Sequence, residues 1–301
     1  MSVHLHDALR PRRAPVRARS FLLARVVAAA AVATALTPSP AGASPSAAGV
    51  ARPTLRATRH VLRRLAPRGT ATPTPGALVD HGGRVLPNPH VYAIWWGPAS
   101  GFPADAVSGL TTFFNGLSGS GYLKIAQQYL RGAAVSSSPV TNLSDPGRPP
   151  TLVTAAALGA EVGRLTKQKP DPLGIYFVFT TNFPTGANYC AWHDAATVGG
   201  RRVAVAYMPN VSLVAGCDGG NQFGLHQSAG TRALASVTAH ELMEAVTDAD
   251  PSSRLAWVDA SDQEIGDKCA WMFASPVTLS NGSKWQLQEQ WSNSAGGCVQ
   301  G

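Results

Sequence analysis

The sequence predicts an α+β fold, a mixed sheet packed on helices with a β-rich, disulfide-stapled C-terminal part. Three observations predict it. Apolar runs of strand length alternate with segments of helical periodicity through the middle of the chain. One long stretch, residues 233–250, has the period of a helix and two unlike faces. Four cysteines fall in the last 112 residues of a chain that also carries 30 Gly and 23 Pro, a composition of loops held by staples.

Residues 90–97, HVYAIWWG, are entered through Pro87 and Pro89 and ended by Gly97-Pro98, as expected of a buried strand. Residues 103–117 then place Val107, Leu110, Phe114 and Leu117 at helical spacing behind Pro103, whose fixed φ suits a first turn. A second short helix is expected over 122–130, a loop over 136–150, and a third helix over 151–167 with Ala155, Leu158, Val162 and Leu165 in register. GIYFVFT (174–180) and RRVAVAYM (201–208) read as two more buried strands. A Gly-rich approach leads to the helix over 233–250, and strand-like pieces follow around Trp257, at 277–279 and at 285–291. There is no internal repeat.

The ends of the chain differ in kind. Residues 1–43 have the order of an export signal: six Arg with one Asp, the apolar run 26–36, then the small-residue site Ala41-Gly42-Ala43 ahead of Ser44. The run is too short to cross a hydrocarbon core of about 30 Å, so a secreted protein without a membrane span is expected. Residues 44–76, rich in Ala, Pro, Arg and Thr, read as a disordered linker or pro-segment, with a basic amphipathic piece at 55–65 expected to lie in solvent. The globular domain is expected over 77–301. The net charge of +8 and pI near 9.7 belong to the first 76 residues, because from Ala77 onward 13 basic residues face 16 acidic ones. That balance, without a basic patch and interleaved aromatics, excludes a nucleic-acid partner.

In an exported chain Cys190, Cys217, Cys269 and Cys298 imply two disulfides in one of three pairings. Spacing favours Cys190–Cys217 and Cys269–Cys298, each worth about 3–4 kcal/mol by loop closure. The absence of any CxxC pair argues against a Cys-rich metal site.

The chemistry concentrates on ALASVTAHELMEAVTDAD at 233–250. At 100° per residue Ala235, Ala239, Leu242 and Val246 form an aliphatic stripe, and His240, Glu241, Glu244 and Asp248 lie opposite. His240 and Glu244, four residues apart, have Cβ atoms about 5–6 Å from each other, close enough to share one ion. Glu241 leans over the same point, where a general base belongs. The string HExxE is one letter from the zinc-peptidase HExxH, so the fold is expected to be zincin-like. If no ion is involved, the same carboxylates are a solvated helix face.

Three stretches together resemble the Exordium-like, or phosphate-induced-protein, family of plant extracellular proteins and its bacterial secreted relatives. They are HGGRVLPNPHVYAIWWG (81–97), NYCAWHDA (188–195), and ASVTAHELMEAVTDAD with QEIGDKCAW (235–250 and 263–271). The resemblance implies an extracellular or cell-wall-associated role. One departure is the helix exit, where Asp248-Ala249-Asp250 delays Pro251 beyond the family's usual position. The family pattern and the spacing converge on Glu264 as a third ligand, 24 residues past His240, as a distant Glu completes a His2Glu zinc site. Asp248, Asp250 and His193 are its rivals, and a surface carboxylate beside Asp262 and Asp267 is the non-ligand alternative.

A His240–Glu244–Glu264 site cancels the charge of a divalent ion, which acidifies bound water less than neutral imidazoles allow. Zinc is the first expectation, with Mn or Ca favoured by the carboxylates. Other chemistry is thin: there is no GxSxG elbow, His226 sits in a loop, and the seven Trp form either a sugar-binding strip or core packing. The expected function is a metal-dependent hydrolase of the peptidase kind, acting on peptide or a cell-wall polymer with Glu241 as base. The alternative is a non-catalytic extracellular protein that keeps the fold around a structural or vestigial metal site.

Overall fold

Three apolar strand segments, the one at 174–180 buried throughout and those at 90–96 and 201–208 buried over most of their length, set the centre of the fold. The computed structural model describes residues 60–66, 72–73 and 75–301; the expected export signal at 1–43 lies outside these. Within the unit Leu55–Gly301, the order is β1 (His60–Arg63), β2 (Val79–Asp80), β3 (His90–Trp96), α1 (Ala106–Leu117), α2 (Gly121–Lys124) running on into a 3-10 turn, β4 (Thr141–Asp145), α3 (Ala155–Leu165), β5 (Gly174–Thr180), β6 (Tyr189–Val198), β7 (Arg201–Met208) and α4 (Ala229–Thr247). Short strands follow: β8 (Trp257–Val258), β9 (Val277–Thr278), β10 (Lys284–Trp285), β11 (Gln290–Ser292) and β12 (Gly297–Val299). The fold is a mixed α+β one with a disulfide-stapled, β-rich C-terminal part, as the sequence predicts.

The main sheet has the order β1-β6-β7-β5-β3-β4. Strands β4, β3, β5 and β7 are parallel, β6 runs antiparallel to β7, and β1 runs antiparallel to β6. Buried on both faces, β5 reads as an unbroken apolar run. Its Ile175, Phe177 and Phe179 join α1 and α4 in one core, while Tyr176 and Val178 join Leu158 and Val162 of α3 in the other. The expected helices and the strands β3, β5 and β7 are found at or within a few residues of their predicted bounds.

Three expectations are corrected. Residues 136–150 include β4, which pairs with β3 through TNLSD; its side chains are exposed or half-buried, so it carries no apolar signal. Residues 189–198, not assigned to a strand, form β6, turned into β7 by Gly199-Gly200 at φ 53° and 78°, the tight two-residue turn that favours glycine. The linker expectation fails at residues 60–66, where β1 pairs with β6 and Leu62 is fully buried in the core. That leucine, worth about 1.5–3 kcal/mol when buried, belongs to the amphipathic piece at 55–65, whose Arg residues favour the solvent reading.

Both disulfides follow the pairing that spacing favours, with Cα–Cα distances of 5.5 Å for Cys190–Cys217 and 5.8 Å for Cys269–Cys298. The first ties β6 to the approach to α4, and the second ties the segment after Glu264 to β12. Trp95, Trp192, Trp271, Trp285 and Trp291 are buried, and Trp96 and Trp257 half-buried, so the tryptophans are packing residues and not an exposed strip. Among the described residues no helix is long and apolar enough to cross a membrane.

Candidate metal centre

Helix α4 has no face left for water. Every residue from Gly230 to Thr247 is buried, between β5, β6 and β7 on the sheet side and α1 and the C-terminal strands elsewhere. The helix starts where Ser228 Oγ accepts from Thr231 N at 3.2 Å, and the Asp105 carboxylate before α1 accepts from Ser228 N, Ser228 Oγ and Thr231 Oγ1 at 2.9, 2.6 and 2.6 Å. This satisfies helix-end donors that burial would otherwise strand. The stripe Ala235, Ala239, Leu242 and Val246 is in the core, and His240, Glu241, Glu244 and Asp248 are equally sealed at 0 % exposure. The carboxylates are therefore not a solvated face.

Strand alternation on β6 sends Trp192 into the α3-side core and His193 toward α4. His193 Nε2 donates to the Asp248 carbonyl at 3.1 Å. Its Nδ1 is 3.2 Å from Glu241 Oε2 and 3.4 Å from Glu244 Oε2. Glu264 arrives on the loop after β8, held by its neighbours: Ser261 N and Gln263 N donate to Asp259 Oδ1, buried Lys268 donates to Asp259 Oδ2 at 2.7 Å, and Trp291 N donates to the Ile265 carbonyl. Fully buried, Glu264 is no surface carboxylate. Its Oε1 is 3.5 Å from His193 Nε2 and its Oε2 is 2.6 Å from His60 Nδ1. His240 Nε2 lies 2.9 Å from Glu244 Oε1, which also accepts from Asp267 N at 3.1 Å.

Three donor sets result, each with ligand atoms within 4.8 Å of one another: His240, Glu241 and Glu244; His193, Glu244 and Glu264; His60, Glu264 and Asp267. The expected trio His240, Glu244 and Glu264 spans the first two sets, which share Glu244. Of its rivals, His193 belongs to the second set, and Asp248 lies in none of them, its Oδ2 accepting from Ala256 N at 2.9 Å. Asp250 is engaged by Arg202, whose Nε donates to Oδ2 at 2.9 Å, and His226 is exposed. Sequence reasoning gave no role to His60 or Asp267. Asp267 lies within the 263–271 stretch without being singled out there, and only the pairing of β1 with β6 brings His60 in.

Several close contacts lack hydrogen-bond geometry. Both ring nitrogens of His240, Oε1 of Glu241, Oε2 of Glu244 and both oxygens of Glu264 are buried without a hydrogen-bond partner. Orphaned buried acceptors cost about 1–3 kcal/mol each, more when charged. Imidazole and carboxylate donors gathered in overlapping sets of three suit a divalent cation, and their chemistry fits one.

The charges reinforce one another. Burial opposes a charged His60, but the adjacent Glu264 carboxylate wins and raises it to about 9. His193 and His240 are likewise raised well above the ordinary value, against burial, by Glu264 and Glu244 respectively. Against the upward push of burial, His240 and His193 hold Glu244 far below the usual carboxylate range. Burial pushes Glu241 and Asp248 up to about 7, helped by the charges of Glu244 and Glu264 in turn. A carboxyl near 7 beside a more acidic one is the division of labour that acid–base chemistry requires. No protein-family model matches the chain, and no curated protein matches it.

Proposed function

We propose that this protein is a secreted, metal-dependent hydrolase of the peptidase kind. The observation that carries the reading is that Glu244 joins two fully buried donor sets, His240–Glu241–Glu244 and His193–Glu244–Glu264, in which His240, Glu241, Glu244 and Glu264 carry buried atoms without a hydrogen-bond partner. His240, Glu244 and Glu264 would hold the ion, zinc first and Mn or Ca as alternatives. A divalent cation at such a site supplies Lewis acidity toward a carbonyl and makes water more acidic. Glu241, with Oε1 free of hydrogen bonds and Oε2 against His193, takes a proton from the attacking water and returns it to the leaving nitrogen. His193, fixed by the Asp248 carbonyl, holds that carboxylate in place.

Export is part of the proposal and is supported by the two disulfides and the absence of a free cysteine among the described residues. So is membership of the Exordium-like family. The three stretches carrying that resemblance meet around α4: Leu86 N donates to the Val246 carbonyl, Ala249 N donates to the Arg84 carbonyl, and 188–195 and 263–271 supply His193 and Glu264. A second reading, a structural metal site, is favoured by the complete burial of the ligands, since closed sites are commonly structural.

Elemental analysis of the purified protein separates the readings. Stoichiometric metal is expected in the wild type and a marked loss in Glu264→Ala. Glu241→Gln should keep its metal and melting temperature while hydrolysis of a peptide library falls about 10²–10⁴-fold. Metal without hydrolysis of any peptide supports the structural reading, and wild type without metal overturns both.

A further inference from the structure

Strand β1 stands apart from the rest of the sheet. It precedes β2 by 15 residues, lies at the edge, and pairs only with β6, in the register His60↔His193, Val61↔Trp192, Leu62↔Ala191. Its side chains alternate in the manner of a bound extended peptide: His60 and Leu62 are buried, Val61 is half-buried and Arg63 exposed. Backbone contacts continue the grip, with Trp271 Nε1 donating to the Arg63 carbonyl at 2.8 Å and Leu65 N to the Gly216 carbonyl at 2.8 Å. His60 reaches into the chamber, 2.6 Å from Glu264 Oε2. Beside it opens a cleft of about 680 Å³ lined by His60, Arg63, Asp262, Asp267 and Ala270. The chamber and the solvent-facing cleft thus share two walls, His60 and Asp267.

Peptides bind sheet edges by adding a strand, with main-chain hydrogen bonds for affinity and pockets for alternate side chains for specificity. We propose that residues 60–66 are a self-inhibitory strand. They occupy the slot on β6 that takes an extended peptide, with His60 plugging the metal chamber and Leu62 filling the neighbouring apolar pocket. The slot then selects an extended peptide carrying a ligating side chain such as His, with an aliphatic residue two positions on. Calling that peptide a substrate rests on the hydrolase reading; the displaceable strand does not. In this arrangement β1 covers the Glu264 and His193 side of the site, where His60 touches them.

The test uses the full chain with a sequence-specific protease site replacing residues 67–71, compared cut and uncut. The probe is a fluorescent synthetic peptide of residues 55–66, followed by anisotropy. After cutting, the segment should exchange and the probe bind saturably, at least tenfold more tightly than to the uncut chain. The His60→Ala probe should bind at least tenfold more weakly. Leu62→Asp in the intact chain should loosen the strand and open the same slot to the wild-type probe without any cut. A cut protein that retains its own segment against excess probe, or unfolds on losing it, overturns the proposal, as does a His60→Ala probe that binds like wild type. Peptide hydrolysis should rise on cutting; equal rates from cut and uncut chains overturn inhibition. Probe exchange without hydrolysis by any form leaves the strand slot standing and removes the hydrolase reading.

Discussion

Gly266 shows how closely the backbone approaches the candidate centre. Its φ of −78° is open to any residue, so the lack of a side chain serves space. A Cβ there would lie 2.7 Å from His240 Nδ1, 2.8 Å from its Cε1 and 2.9 Å from Glu244 Oε1. Gly266→Ala must push the 264–267 loop or the His240 ring aside, which moves Glu264 and His240 apart. Overpacking of this kind costs about 1–3 kcal/mol, and at least a tenfold loss of affinity for added Zn²⁺ is expected. Calorimetric titration and thermal melting check both; unchanged values would show that the loop yields and that its register does not set the site. The same residue marks a limit of sequence reading. HELME at 240–244 is legible because i and i+4 on a helix face one way whatever the fold. Gly266, His60 and Asp267 matter only through where tertiary structure puts them.

At the scale of elements, α4 depends on a staple far away in sequence. The Asp105 carboxylate accepts three hydrogen bonds from Ser228 and Thr231, so the start of α1 and the start of α4 share one anion. Asp105→Asn removes the charge from these bonds and should destabilise by about 1–3 kcal/mol. Although burial opposes it, the bonds from Ser228 and Thr231 hold Asp105 below its ordinary pKa. A depressed folded-state value adds stability that is present above the unfolded value, near 3.9, and is lost as pH falls through the folded one. Urea denaturation of the two proteins should therefore differ at pH 7 and converge toward pH 3; a gap that persists in acid would mean that charge plays no part. The elements legible from sequence are those with enough apolar residues to declare a period: β3, β5, β7, α1, α3 and α4. Strand β6 carries His193 amid its apolar residues because the face toward α4 is the site. The Gly199-Gly200 turn was the signal that marks it. Strand β4 is an edge whose exposed and half-buried residues carry no alternation, and β1, also an edge, alternates over only four residues.

For the whole molecule, the buried cluster ties stability to both pH and metal. Without a cation, the carboxylates of Glu241, Glu244 and Glu264 depend on protonated histidines. His60 titrates near 9, and His193 and His240 are raised as well. A raised folded-state pKa contributes stability that is complete below the unfolded histidine value, near 6.5, and is lost as pH rises through the folded value. Glu241 and Asp248, each raised to about 7, act in the same direction as they ionise. Glu244 and Glu264 are depressed, so they are already ionised above pH 6 and do not oppose the trend. Chelated protein should therefore lose melting temperature steadily from pH 6 to pH 9. A cation binds the deprotonated histidines and carboxylates instead, so its affinity rises over the same interval, and ligand binding to the native state adds stability in proportion to the logarithm of that affinity. The difference in melting temperature between Zn²⁺-loaded and EDTA-treated protein should widen from pH 6 to pH 9, with one or more protons released per ion bound at pH 7. Scanning calorimetry at several pH values, with proton release measured in buffers of different ionisation enthalpy, reads both quantities. A difference that is constant or narrows toward pH 9 would show that the histidines and carboxylates of α4, β6 and the 264 loop do not bind the ion.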